Sequence, residues 1–262
     1  MSDLEEALTI RKVSNCEWLA DADARYEASN AMFGGWTAAV ALRSVHASAS
    51  GTETPATMTV NYISMIEPGS EVLLRTSKLG ASRSIHHWRV DIVAASNQQT
   101  LAMASVVLAK RIVSDGHTEP KMPNVPDPES LTVAYPPGTY GQRTIRRPIR
   151  GYPPFNRETT TSLDWVRDMT GRRVDYFQLA FLADSYAPRS FFWSEAPRKS
   201  ATISISIYFH GTPEEVALVG DDYLLNEAIG TRGASRTSGQ RMRLWSRSGA
   251  LLVSSEQMHW FR

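Results

Sequence analysis

Six histidines, one cysteine and a pair of serine-centred pentamers are the first places to look for chemistry in this chain. The histidines are His46, His86, His87, His117, His210 and His259. None stands four residues from another, the spacing that sets two imidazoles on one helix face for a metal. None adjoins Cys16, so no metal site is suggested. His86 and His87 are neighbours, but neighbours on a strand point to opposite faces and cannot easily share a ligand. Gly80-Ala81-Ser82-Arg83-Ser84 begins like the Gly-x-Ser-x-Gly nucleophile elbow and lacks its closing glycine; so does Gly233-Ala234-Ser235-Arg236-Thr237. Neither of the common glycine-rich phosphate loops is present. Arginines are the remaining candidates. Arg83 and Arg236 sit in the two pentamers, and Arg143, Arg146, Arg147 and Arg150 form a cluster. A guanidinium suits bidentate contact with phosphate. The cluster reads as solvated surface, and Arg83 and Arg236 as candidates to meet a phosphorylated ligand.

These side chains belong to a chain of 262 residues. At about 100–200 residues per domain, that is one large domain or two small ones. Lys plus Arg is 28 and Asp plus Glu is 27, so the net charge is +1. This balance argues against a dedicated nucleic-acid binder, which carries a basic excess. One cysteine cannot form an internal disulfide or a Cys-rich zinc site, which fits a reducing compartment. The N-terminus, Met1-Ser2-Asp3-Leu4-Glu5-Glu6, is acidic and lacks the pattern of a signal peptide. The longest apolar run, Leu101 to Ala109, is strand-sized and far short of the roughly 20 residues of a membrane helix. A cytoplasmic protein without a membrane span is expected.

Nine of the 14 prolines lie between Pro120 and Pro154. Proline removes amide donors and fixes φ, so this stretch reads as an extended connector. The flanks on either side resemble each other. The two pentamers match. Thr57-Met58-Thr59-Val60 answers to Thr202-Ile203-Ser204-Ile205, and Met103-Ala104-Ser105-Val106-Val107 to Val253-Ser254-Ser255-Glu256-Gln257. Three matches in the same order at nearly one offset indicate an internal duplication. Each half opens with a helical stretch, 28–49 and 176–192, followed by strand-like runs. The first helix is apolar almost all round and should be enclosed. Residues 202–209 alternate Ile203, Ile205, Ile207 and Phe209 against Thr202, Ser204 and Ser206. Further strands are expected at 57–63, 71–77, 86–95, 101–112, 242–245 and 251–253, with hairpin turns at 96–99 and 246–249. A helix against a mostly antiparallel sheet, occurring twice, is an α+β architecture.

Asn30-Ala31-Met32-Phe33-Gly34-Gly35-Trp36 is similar to the Phe-Gly-Gly motif of the acyl-CoA thioesterase II, or TesB-like, double-hotdog family. Leu182-Ala183-Asp184-Ser185-Tyr186 resembles the family segment that opens the second central helix with a catalytic Asp. Residues 201–210 resemble the strand carrying its Thr, and 252–257 the last strand, carrying its Gln. The resemblance covers nearly the whole chain. It implies two hotdog units, 1–114 and 156–262, joined by the connector 115–155. It implies hydrolysis of fatty acyl-CoA to fatty acid and CoA through a water held by Asp184, Thr202 and Gln257, with no cofactor or metal. It also implies a homo-oligomer of double-hotdog chains.

The chemistry is consistent. A thioester is already activated, so a positioned water, some base character and an oxyanion donor suffice. Asp184 can take the water's proton, and Thr202 and Gln257 can fix its geometry. Backbone amides at a helix N-terminus can meet the developing charge, and Asp184 is expected near such a start. Gly34 and Gly35 let a ligand approach the first helix closely. Aligning the halves sets Gly34 against Asp184, Thr57 against Thr202 and Val107 against Gln257. Half one then keeps the hydroxyl alone, and one site per chain, built on half two, is expected. Two alternatives stand beside hydrolysis: a non-catalytic acyl-CoA binding protein, and a hotdog hydratase or dehydratase. The second commonly uses Asp-x-x-x-x-His, and no Asp here has a His five residues on.

Overall fold

The computed structural model describes residues 2–136 and 138–262. Met1 and Pro137, which figure above in the N-terminus and the Pro-rich stretch, lie outside the described residues. Half one runs α1 (Asp3–Ala7), β1 (Ile10–Ser14), β2 (Glu17–Asp21), β3 (Glu27–Ala28), β4 (Ala31–Met32) and α2 (Gly34–Ser48). It continues with β5 (Thr54–Tyr62), β6 (Glu71–Ala81), β7 (Ile85–Ala94) and β8 (Thr100–Ala109). Half two runs β9 (Thr144–Arg150), β10 (Ser162–Asp168), α3 (Tyr176–Leu182), β11 (Ser200–Phe209) and α4 (Pro213–Val219). It closes with β12 (Leu224–Ala234), β13 (Thr237–Ser246) and β14 (Leu251–Phe261).

Twelve strands form one sheet in the order β1-β2-β6-β7-β8-β5-β11-β14-β13-β12-β10-β9. Reading outward from the central β5–β11 pair, each strand of half one has its counterpart in half two. The duplication seen in the sequence is therefore a pseudo-twofold of the fold. Its axis passes the facing pair Thr59 and Ser206, whose hydroxyls lie 3.0 Å apart. The two pentamers form the tips of equivalent hairpins, β6–β7 and β12–β13. Both edges are guarded differently. Residues 144–150, expected within an extended connector, form the edge strand β9, where Pro148 faces Asp164. An edge is where a ladder tolerates a residue without an amide hydrogen.

Helix α2 is enclosed as expected. Trp36, Ala38, Ala39, Val40, Ala41, Leu42 and Val45 are buried, and the Trp36 indole donates to the Ala7 carbonyl at 2.9 Å. Each large apolar side chain so buried contributes about 1.5–3 kcal/mol. The helix starts later than the expected residue 28. Ser29 and Asn30 have positive φ, and β3 and β4 pair as a small ribbon across them. The second helix is the larger departure. Expected over 176–192, it stops at Leu182, and only a 3-10 turn at Arg189–Phe191 follows. Pro188 bars the expected run to residue 192. It brings no amide hydrogen, its ring clashes with the carbonyl four residues back, and Ala187 before it is steered away from the helical region. The two helices run side by side in opposite senses. Phe181 at the end of α3 packs on Phe33 before α2, while Phe177 at its start meets His46 near α2's end. Among the described residues, no helix is long and apolar enough to cross a membrane.

Candidate active site

The break after α3 places Asp184. Asp175 caps the start of α3, accepting from the Gln178 amide at 2.9 Å. At the other end, Ser255 of β14 donates to the Ala183 carbonyl at 3.0 Å. The guanidinium of Arg146 donates to the Ser185 carbonyl and pairs with Asp164 at 2.5 Å. Residue 184 is thus pinned between two anchored neighbours. It lies just past the end of its own helix, not at the start of one. Yet a helix start is beside it. The Gly35 amide, in the first turn of α2, donates to the Asp184 carboxylate. A Cβ on Gly34 would stand 2.6 Å from Asp184 Oδ2, and one on Gly35 would run into the Phe181 carbonyl. Only glycines admit this approach. The positive end of α2 and the carboxylate attract each other.

Asp184 is buried, and burial pushes its carboxyl up to about 7, against the pull of the Gln257 and Gly35 hydrogen bonds toward ionisation. A base with that affinity changes state near neutral pH. Tyr62, Tyr140 and Tyr186 feel its charge, and burial holds all three phenols above their ordinary values. The Tyr62 hydroxyl donates to the Gly34 carbonyl at 2.9 Å and steadies the same turn.

Thr202 reaches the site through a defect in its strand. By alternation it belongs with Ser204 and Ser206, on the opposite face from Ile205 and Ile207. The ladder between β11 and β14 shifts register between Thr202 and Ser204. This bulge inserts one residue and swaps the faces before it. Ile203, expected in the core, is 42% exposed, and Thr202 turns inward. Gln257 lies opposite Ile205 on β14 and points inward too. Its Nε2 donates to Asp184 Oδ1 at 2.5 Å and to Thr202 Oγ1 at 2.7 Å. The three side chains singled out from the sequence therefore form one hydrogen-bonded set.

The bulge also corrects the match between halves. The β5–β11 ladder pairs Thr57 with Tyr208 and Asn61 with Ser204, so the pseudo-twofold equates Thr57 with Ser204. The counterpart of Thr202 is Pro55, next to the equivalent bulge in β5. The counterpart of Gln257 is Val106, which faces Met58 as Gln257 faces Ile205. Half one thus keeps none of the polar set, not even the hydroxyl. The alignment slipped by two residues at Thr57, which leaves a period-two pattern unchanged, and by one residue at Val107. Gly34 and Asp184, aligned as counterparts, are in fact neighbours. The site is composite: half two supplies the side chains and half one the helix N-terminus.

Two residues that the sequence reading passed over complete it. Gln240 of β13 faces Gln257 and donates to its Oε1, while its own Oε1 accepts from the Arg189 backbone amide at 2.8 Å. Arg189 is fully buried, and burial lowers its guanidinium to about 10. Carbonyls of Thr160, Ala187 and Ala228 hold it. The signal for Gln240 was available: it is a polar residue on the inward row with Met242 and Leu244.

Arg236 is exposed at the tip of its hairpin, four residues before Gln240 on the same strand run, about 13 Å away along it. Arg83 is exposed at the equivalent tip in half one, on the half that carries Val106 and Pro55. Of the four connector arginines, Arg150 is exposed as expected of solvated surface, and the other three are held by partners. Arg146 is buried against Asp164, Arg147 donates to the Tyr223 hydroxyl at 2.8 Å, and Arg143 pairs with Asp3 at 2.7 Å. Of the aromatics near the helix starts, Phe33, Trp36, Tyr186 and Phe192 are core; Trp193 is 40% exposed beside Gly233.

A helix packed on an antiparallel sheet, twice in one chain, is a double-hotdog architecture. Sequence comparison agrees. Residues 22–109 match the acyl-CoA thioesterase N-terminal domain and residues 117–261 the acyl-CoA thioesterase C-terminal domain. The chain belongs to this acyl-CoA thioesterase family and is a thioester hydrolase by class. Among solved structures, a hotdog-fold protein of unknown function from Alicyclobacillus acidocaldarius is 25% identical, with a TM-score of 0.94 over 100% of this chain and 98% of that one. The tesB protein of Mycobacterium avium subs paratuberculosis is 20% identical, with a TM-score of 0.81 over 99% and 98%. A thioesterase II from Thermobifida fusca, putative in its own description, is 14% identical, with a TM-score of 0.88 over 100% and 98%. These likenesses fix the fold as a double hotdog. No curated protein sequence is significantly similar to this one.

Proposed function

We propose that the chain hydrolyses fatty acyl-CoA to free fatty acid and CoA, with the water held by Asp184, Thr202 and Gln257. One observation carries this reading: a buried carboxylate drawn to a pKa of about 7, bonded to Gln257 and set against the first turn of a helix. The water's oxygen bonds to the thioester carbonyl carbon while Asp184 takes its proton. Of the first-turn amides of α2, that of Gly34 receives the charge gathering on the carbonyl oxygen, since Gly35 serves Asp184 and Trp36 and Thr37 donate to the Phe33 carbonyl. The C–S bond then breaks, and the CoA thiolate takes up a proton. Gly34 and Gly35 bring the substrate to that turn, and Arg83 and Arg236 meet the phosphates of CoA. In this reading the hotdog units are residues 1–114 and 156–262, with 115–155 as the connector. The reading carries with it a role in fatty acid metabolism in the cytoplasm and assembly into a homo-oligomer, which light scattering tests. Thiol release measured over acyl-CoAs of graded chain length tests the activity. Free CoA together with free fatty acid is expected. A hydrated CoA ester, or binding without turnover, overturns the proposal.

A further inference from the structure

The hydrogen bonds around Gln257 have a direction, and a backbone amide sets it. The Arg189 N–H opens the 3-10 turn Arg189–Phe191, and it can only donate. Gln240 must therefore turn its Oε1 to Arg189, which leaves its Nε2 for Gln257. Gln257 must in turn present Oε1 to Gln240 and Nε2 to Asp184 and Thr202. A side-chain amide has two hydrogens on nitrogen. Both are engaged, one on Asp184 and one on Thr202.

We infer that Gln240 is a positioning residue that sets the amide orientation of Gln257, and that Gln257 itself holds Asp184 and Thr202 in place, leaving the carboxylate and the Thr202 hydroxyl to face the reacting water. This rests on the hydrolytic reading above and refines the part that Gln257 plays in it. Thr202 Oγ1 accepts from Gln257, so its own hydrogen is free to donate toward the water or the carbonyl oxygen. Asp184 is acceptor only when ionised, and the Gln257 N–H favours that form. The titratable groups facing Asp184 are Tyr62 of β5, Tyr140 and Tyr186, all kept protonated near neutral pH by burial. Arg189 remains charged there. None of them changes state near pH 7 together with Asp184.

Two substitutions away from the reacting atoms test this. Gln240→Glu still accepts from the Arg189 amide but has no hydrogen for Gln257. Gln257 then turns over to donate to the introduced carboxylate and shows its oxygen to Asp184. kcat should fall about 100-fold with KM nearly unchanged, and the acid limb of the kcat profile should move up by about one pH unit. Gln240→Leu removes the donor without forcing the turn, so it should lose about tenfold with a smaller pH displacement. Equal losses in both variants with an unmoved acid limb indicate packing alone and overturn the inference, as does a Gln240→Glu enzyme with unaltered kcat. If the Glu variant fails to fold, the unaltered chain answers by NMR. The Gln257 side-chain amide protons should shift as Asp184 titrates near pH 7, and protons that stay still between pH 5 and 9 overturn it. That titration is independent of turnover. A chain that hydrolyses no acyl-CoA therefore refutes the proposed function without deciding the orientation of the amides.

Discussion

Half one and half two lay down the same six strands in the same order, yet their inner faces differ at each point that matters for chemistry. Half one carries Pro55 and Val106 where half two carries Thr202 and Gln257. Its helix α2 spans 15 residues without a break, while α3 spans 7 and ends in a turn. The intact helix offers a charged end, and the interrupted one offers a carboxylate to meet it. A polar set buried inside a sheet-wrapped core costs stability unless every member is paired. One copy in the duplicated scaffold limits that cost, and an apolar half one can be packed for stability alone.

The largest expected effect concerns the interrupted helix. Asp184→Asn keeps the shape and removes the base, and acyl-CoA hydrolysis should fall about 10²–10⁴-fold in a thiol-release assay. In the unaltered chain the same group should give kcat/KM an acid limb near pH 7, with activity rising as the carboxyl ionises. A profile flat from pH 5 to 9 would remove Asp184 as the base.

Exchanging the inner faces comes next. Gln257→Val gives half two the residue of half one and should cost about 10–100-fold in kcat. Val106→Gln in half one should gain nothing, because neither a carboxylate nor a hydroxyl waits there. Thr57→Ala should likewise stay within about twofold, as no transition-state contact is lost. Comparable losses at Thr57 and Gln257 would mean that both halves work.

Asp184 also carries a stability signature. Its folded pKa of about 7 lies above the ordinary 3.8, so the folded chain binds the proton more tightly than the unfolded one. The stabilisation this gives is full below about pH 4 and is lost as pH rises through 7. Asp184→Asn should therefore melt about 4 °C or more above the unaltered chain at pH 8 and close to it at pH 4, followed by calorimetry. No pH dependence of that difference would argue that the carboxyl is not held protonated by burial.

The smallest effect separates the two hairpin tips. Arg236→Ala should raise KM for acyl-CoA about three- to tenfold, more at low salt than at high, and Arg83→Ala less. Equal effects would indicate that CoA spans both halves.

Much of this was readable without coordinates. Alternation marked the strands, the pentamers marked equivalent hairpins, and ordered repeats marked two units in place of one. The enclosed helix followed from small apolar residues on all sides. What was misread has physical causes. Pro188 stood in the expected second helix as a breaker, but the helical pattern around it drew the boundary too far. Thr202 was on the wrong face because a bulge is one uncounted residue. Gln240 went unnoticed because a lone polar residue on an inward row gains meaning only from what lies across from it.

The amino-acid sequence by itself determined the helix-on-sheet architecture and the duplication, because periodicity and repetition are local and survive without contacts, and its resemblance to a known family pointed to the three polar residues of the candidate site. Tertiary structure alone decided that Asp184 caps the helix of the other half, that Thr202 faces inward and that an Arg189 amide orients two glutamines. Those depend on register, on where a helix is stopped and on which groups remain to satisfy one another once water is excluded.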